Sequence, residues 1–106
     1  PVKAGPWFAQ LAPPHLAKAA LERLQAEPIG PLTTPMHLTP ERWGSVPRSY
    51  IECLQDRTIT IATQRKMQEL APGTRTITLD ADHSPMFCMP EALADALEAA
   101  APRNPA

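Results

Sequence analysis

Two short β-type runs with a helical segment between them constrain this chain more than any other feature. Arg48 to Leu54 carries Tyr50 and Ile51, and Thr74 to Leu79 alternates threonine with Arg75, Ile77 and Leu79. Between them, Thr60 reads as the cap of a helix from about Ile61 to Leu70, closed by Pro72-Gly73. Strand, helix and strand in so short a span imply a parallel pair joined by a right-handed crossover. Pro90 opens a last helix, with Leu93, Ala96, Leu97 and Ala100 expected inward and Glu91, Asp95 and Glu98 in water. The order from Arg48 on is therefore β-α-β-α. Parallel strands are buried on both faces and belong to larger sheets. The pair reads as the last piece of a doubly wound α/β sheet whose other strands lie elsewhere.

Each strand runs out into a loop bearing a chemically useful side chain. The second ends at Leu79-Asp80-Ala81-Asp82-His83-Ser84-Pro85-Met86, and the first leads into Gln55-Asp56-Arg57. An Asp and a His standing just past neighbouring parallel strands can meet although they are far apart in sequence. That pairing is the orienting half of a nucleophile–His–Asp relay. Asp80 or Asp82 could instead be the partner of His83, but their nearness in sequence suits shaping its turn. His15 and His37 read as surface or loop residues, and Met86, Phe87 and Met89 as core, with Met86 able to reach a pocket.

A chain of 106 residues has room for one domain. Its formal net charge of −1 gives no reason to expect nucleic acid or an anionic membrane surface. No apolar run approaches the roughly 18 residues that span a bilayer, and no signal peptide is visible. The expectation is a soluble, cytoplasmic protein in which Cys53 and Cys88 are free thiols. The first residue is Pro1 and not Met, which suggests polypeptide before it.

The first half is organised by proline. His15 to Ala26 reads as a helix with Leu16, Ala19, Ala20 and Leu24 on one stripe. Pro28 to Pro40 holds four prolines, so an extended connection without helix is expected there. Thr39 before Pro40-Glu41-Arg42 signals about one helical turn, ending near Gly44. Pro1 to Pro14 reads as irregular, with Trp7-Phe8 as its bulky pair.

Several segments together carry a resemblance: Glu41 to Ile51, Gln55-Asp56-Arg57, Gln64-Arg65, Asp82-His83-Ser84-Pro85-Met86 and Pro90-Glu91-Ala92-Leu93. In order and spacing they resemble the closing half of α/β-hydrolases, nearest to the plant methyl-ester esterases, the hydroxynitrile lyases and their bacterial relatives. The likeness is dense from Thr39 to Ala100. It is looser over Leu11 to Leu38, where Pro13-Pro14-His15-Leu16-Ala17 looks like the family's helical cap. On this basis residues 1–40 are a cap remnant with a Pro-rich connection, and residues 41–106 are the β-α-β-α part of the core.

The resemblance implies a carboxylic-ester hydrolase of the serine type, with Asp56 as the triad acid and His83 as the base. It implies no metal or organic cofactor. Trp7, Leu32, Ser84 and Met86 become candidates for lining a pocket for a small ester. The family's G-x-S-x-G nucleophile elbow is not among these residues. Ser45, Ser49 and Ser84 lack that frame, and the His-Gly region of the oxyanion hole is also missing. The expected partner is therefore a second polypeptide carrying the nucleophile half. Two alternatives stand beside this reading. One is a hydroxynitrile lyase-like enzyme, disfavoured because the lyases place a lysine where this chain has Ser84. The other is a non-catalytic fragment that binds another protein.

Overall fold

The computed structural model describes residues 4–102, and Pro1 lies outside them. Among the described residues, six α-helical segments and one 3₁₀ turn accompany a two-stranded parallel sheet. The strands are β1 (Arg48–Cys53) and β2 (Thr74–Leu79), paired from Arg48↔Thr74 to Cys53↔Leu79. The crossover helix α4 (Ile61–Leu70) starts at Thr60, whose hydroxyl accepts the Thr63 N–H at 3.4 Å. Gly73 stands at φ +86, a left-handed conformation that costs glycine nothing and turns the chain into β2. A short helix α5 (Pro85–Cys88) and a longer α6 (Pro90–Ala100) follow, each begun by proline where its missing N–H is harmless.

The ladder decides which backbone groups remain free. In a parallel pair, alternate residues of each strand point their N–H and C=O at the partner. Just past β1, Leu54 donates to the Leu79 carbonyl at 2.9 Å, so even-numbered residues of β1 face β2. Ser49, Ile51 and Cys53 therefore present theirs to the opposite edge. At Cys53 that edge is already occupied. Gln64 of α4 accepts the Cys53 N–H and donates to the Cys53 carbonyl, both at 2.9 Å, as a neighbouring strand would.

The core is small and lies under the carboxyl ends of the strands. Cys53, Leu79 and Ala81 are buried, and Ile51, Met89, Ala92, Leu93 and Cys88 pack around them. Burial pushes the thiols of Cys53 and Cys88 up from their ordinary values, and both are free. On the outer side of β1, Glu52 is 4% exposed. It accepts hydrogen bonds from Arg65 at 3.1 Å, Gln68 at 3.1 Å and Thr78 at 3.0 Å. The Arg65 hydrogen bond is the main cause that lowers its carboxyl below the usual range, against the opposing effect of burial.

The amino-terminal region departs from its sequence pattern in several places. Gly5–Phe8 forms one helical turn, α1, in a stretch expected to be irregular. Helix α2 is Pro14–Leu21 and ends well before Ala26. Its half-buried positions are Ala17, Ala19, Ala20 and Leu21, so Ala19 and Ala20 of the expected stripe are covered, while Leu16 and Leu24 are exposed and nothing holds a further turn in place. Gly30–Thr33 makes a turn of helix, α3, inside the Pro-rich connection. Pro31 sits where a first turn tolerates it, and the Thr34 hydroxyl closes the turn onto the Gly30 carbonyl at 2.7 Å.

The signal at Thr39 yields a tight 3₁₀ turn over Trp43–Ser45, not an α-helical one. Its tie to β1 runs through Arg48, whose guanidinium stacks 3.7 Å over the Trp43 ring and donates to the Trp43 carbonyl. In α6, Ala96 is buried but Leu97 is 56% exposed, contrary to the inward face expected. Leu93 packs against the core as expected, joined there by Ala92. Among the described residues no helix is long and apolar enough to cross a membrane.

Candidate active site

The loops after β1 and β2 bring Asp56 and His83 together across 27 positions of sequence. His83 Nδ1 lies 2.8 Å from Asp56 Oδ2, the carboxylate being 7% exposed and the imidazole 32%. The other oxygen, Asp56 Oδ1, accepts the N–H groups of Thr58 at 2.8 Å and Ile59 at 2.9 Å. Those two bonds fix the plane of the carboxylate and leave Oδ2 to the imidazole. A carboxylate oxygen only accepts, so Nδ1 carries the proton and Nε2 is left with the lone pair of a base. Among the described residues no other hydrogen bond reaches the ring. Phe8 meets it edge-on, with ring centroids 5.2 Å apart at an interplanar angle of 71°.

The two nearby aspartates have other partners. Asp80 Oδ1 accepts from Gln55 Nε2 at 2.9 Å. Asp82 is fully buried, and its Oδ1 accepts the Ser84 N–H at 2.8 Å, an Asx turn that bends the chain just behind His83. Asp82 Oδ2 accepts the Leu11 N–H at 2.8 Å, and Cys88 Sγ donates to Oδ1 at 3.3 Å. Asp56 makes the same kind of turn with Thr58, so Asp56 and His83 sit in loops of similar construction.

The remaining candidates are dispersed. Trp7, Leu32 and Met86 are 55%, 67% and 52% exposed. Trp7 touches the Asp56 loop through its backbone, where its carbonyl accepts from the Thr58 hydroxyl at 2.6 Å. Leu32 lies on α3, Met86 on α5, and Ser84 is anchored by its N–H. His15 and His37 are exposed. Sequence reasoning missed Gln10, whose Nε2 donates to the Gln55 carbonyl at 2.6 Å, and the reach of Asp82 to Leu11. The Asp-x-Ser and Asp-x-Thr spacings were the available signals for the turns. Nothing in the pattern pointed to the long-range ties.

A parallel pair joined by a crossover helix, an aspartate loop after one strand and a histidine loop after the next fit the carboxyl-terminal part of an α/β-hydrolase fold, the class to which the chain's solved structural neighbours belong. Within that class the chain is similar to esterases. It is 41% identical over 75 residues to a pyrethroid hydrolase of Sphingobium wenxiniae, a match covering 70% of this chain and 26% of the relative. It is 39% identical over 74 residues to methylesterase 2 of Arabidopsis thaliana, covering 69% and 28% respectively. The crystal structure of a pyrethroid hydrolase from Sphingobium faniae JZ-2 superposes with a TM-score of 0.63 at 39% identity, over 72% of this chain and 30% of that one. The chain thus spans just over a quarter of the length of the curated relatives it matches. No family model matches it.

Proposed function

We propose that this chain supplies the acid and base of a serine-type carboxylic-ester hydrolase whose nucleophile stands on polypeptide outside these residues. The observation that carries the reading is the 2.8 Å contact between His83 Nδ1 and Asp56 Oδ2 at the carboxyl ends of adjacent parallel strands. In the proposed reaction His83 Nε2 takes the proton of a serine hydroxyl as its oxygen attacks the ester carbonyl. The same nitrogen then delivers that proton to the departing alcohol, and a water, deprotonated in turn, releases the acid. Asp56 keeps the imidazole in the required tautomer and stabilises the imidazolium.

Neither thiol is a candidate nucleophile, because burial disfavours the thiolate of both Cys53 and Cys88. The serine and the oxyanion donors would come from a second polypeptide carrying the nucleophile half. The outward groups of Ser49 and Ile51 offer its strands an edge to continue. Relatives named for ester hydrolysis support a small ester as substrate.

The test is hydrolysis of a small activated ester by the complete protein, with a fluorophosphonate probe to find the serine. Turnover in the native protein and a loss of about 10⁴-fold in Asp56→Asn are expected. A native protein that neither turns over esters nor takes the probe would overturn the reading.

A further inference from the structure

The segment from Pro6 to Leu11 is stitched to both loops of the acid–base pair. Toward the Asp56 loop, the carbonyls of Pro6 and Trp7 accept from Arg57 at 3.4 Å and the Thr58 hydroxyl at 2.6 Å, and Gln10 donates to the Gln55 carbonyl at 2.6 Å. Toward the His83 loop, Phe8 sets its ring edge-on to the imidazole, and the Leu11 N–H reaches Asp82 Oδ2 at 2.8 Å. Ala9 between them is 5% exposed. The far end of this strap rests on Asp82, a charged side chain with no solvent exposure, which also bends the chain behind His83 through Ser84.

We propose that Asp82 is a positioning residue: its carboxylate clamps the Pro6–Leu11 strap onto the His83 loop, and the strap holds the Asp56 and His83 loops at the spacing their hydrogen bond needs. The physical argument is one of valence. A buried carboxylate must have its lone pairs matched, and here three donors do so: Leu11 from the distant strap, and Ser84 and Cys88 from the chain just after His83. Freed from the strap, the two loops would keep the Leu54 and Gln55 N–H bonds to the Leu79 and Ala81 carbonyls, the Gln55–Asp80 hydrogen bond and the Asp56–His83 contact itself, with no third segment across them. The imidazole would also lose the ring that limits its rotation about the Asp56 contact.

An Asn at position 82 keeps the shape but replaces one acceptor oxygen by an N–H₂ donor. Placed toward Leu11 it faces another donor, and turned the other way it faces those of Ser84 and Cys88. At least one tie is lost in either case. The proposal rests on reading Asp56 and His83 as the acid–base pair, and its readouts separate the two. In the complete protein, the downfield proton resonance of His83 Nδ1–H reports the hydrogen bond whether or not the protein turns over an ester. Asp82→Asn is expected to weaken or broaden that resonance while the protein still melts cooperatively. It is also expected to lower kcat by about 10²-fold with KM little changed.

Should Asp82→Asn fail to fold, the double variant Gln10→Ala, Thr58→Ala decides, since it releases the strap at the exposed Thr58 and the half-buried Gln10 without touching Asp82. Loss of the resonance there supports the proposal. An undisturbed resonance in a folded Asp82→Asn, or in the double variant, overturns it. A native protein with the resonance but no ester turnover would count against the proposed function and leave the resonance to judge the strap.

Discussion

Gln64 gives the sharpest test of how this sheet is finished. It is 3% exposed, and its amide serves three backbone groups: the N–H and C=O of Cys53, both at 2.9 Å, and the Ile59 carbonyl at 2.7 Å. Gln64→Ala would leave all three unmet. Cys53 is 7% exposed, so each of its two groups should bear a desolvation penalty of about 1–3 kcal/mol. Ile59 is only half-buried, and water can replace most of what its carbonyl loses. The sum is about 4 kcal/mol, near 10³-fold in the unfolding equilibrium at roughly 1.4 kcal/mol per tenfold.

Urea unfolding of the complete protein should show the midpoint falling by more than about 1 M with an unchanged slope. Gln64→Glu is the control. It keeps an acceptor for the Cys53 N–H but can make neither donation, and it buries a charge, so it should lose at least as much. A loss below about 1 kcal/mol in both variants would mean that another group serves Cys53, and the account of Gln64 as a surrogate strand would fail.

Two further outcomes follow from the geometry and electrostatics. Glu52 has its carboxyl held low, chiefly by Arg65, so its stabilising contribution is complete above the ordinary glutamate value of 4.5 and fades as pH falls through the lower folded value. Glu52→Gln should therefore flatten the acid limb of a stability-against-pH curve, and an unchanged limb would refute this. Ser84 places a neutral hydroxyl next to His83, at the position where a lysine would offer its charge to departing cyanide. Cyanohydrin cleavage should stay at background, and clear cyanide release would remove the argument from Ser84.

What could be read from the residues alone follows from how local the determinants are. β1 and β2 were legible because β-branched residues, a Thr cap and Pro72-Gly73 all act within a few positions. Asp56 and His83 were legible as residues just past strand ends, which is a statement about topology. Their contact needed only that the two strands be neighbours. Gln64 was invisible because a glutamine on an amphipathic helix reads as solvated, and only the fold places it against a strand edge. Asp82 was read as a turn former, which it is, but its other oxygen serves Leu11 from a distant segment. The overestimates share one cause. Leu24 and Leu97 fit a helical stripe by spacing, yet these residues provide no surface to cover them, so α2 stops early and α6 leaves Leu97 in water.

The last rung of the sheet, Cys53↔Leu79, lies within one loop of both the acid and the base. Length changes in the crossover between them are thus invisible to the pair. A lineage could add a turn to α4 or lengthen the approach to Gly73 and deliver the same imidazole to the same carboxylate. One residue gained inside either strand would instead invert every side chain beyond it and send its loop to the opposite face. Divergence in proteins built this way has one open direction and one closed one, and the boundary between them runs along the pairing register of two six-residue strands.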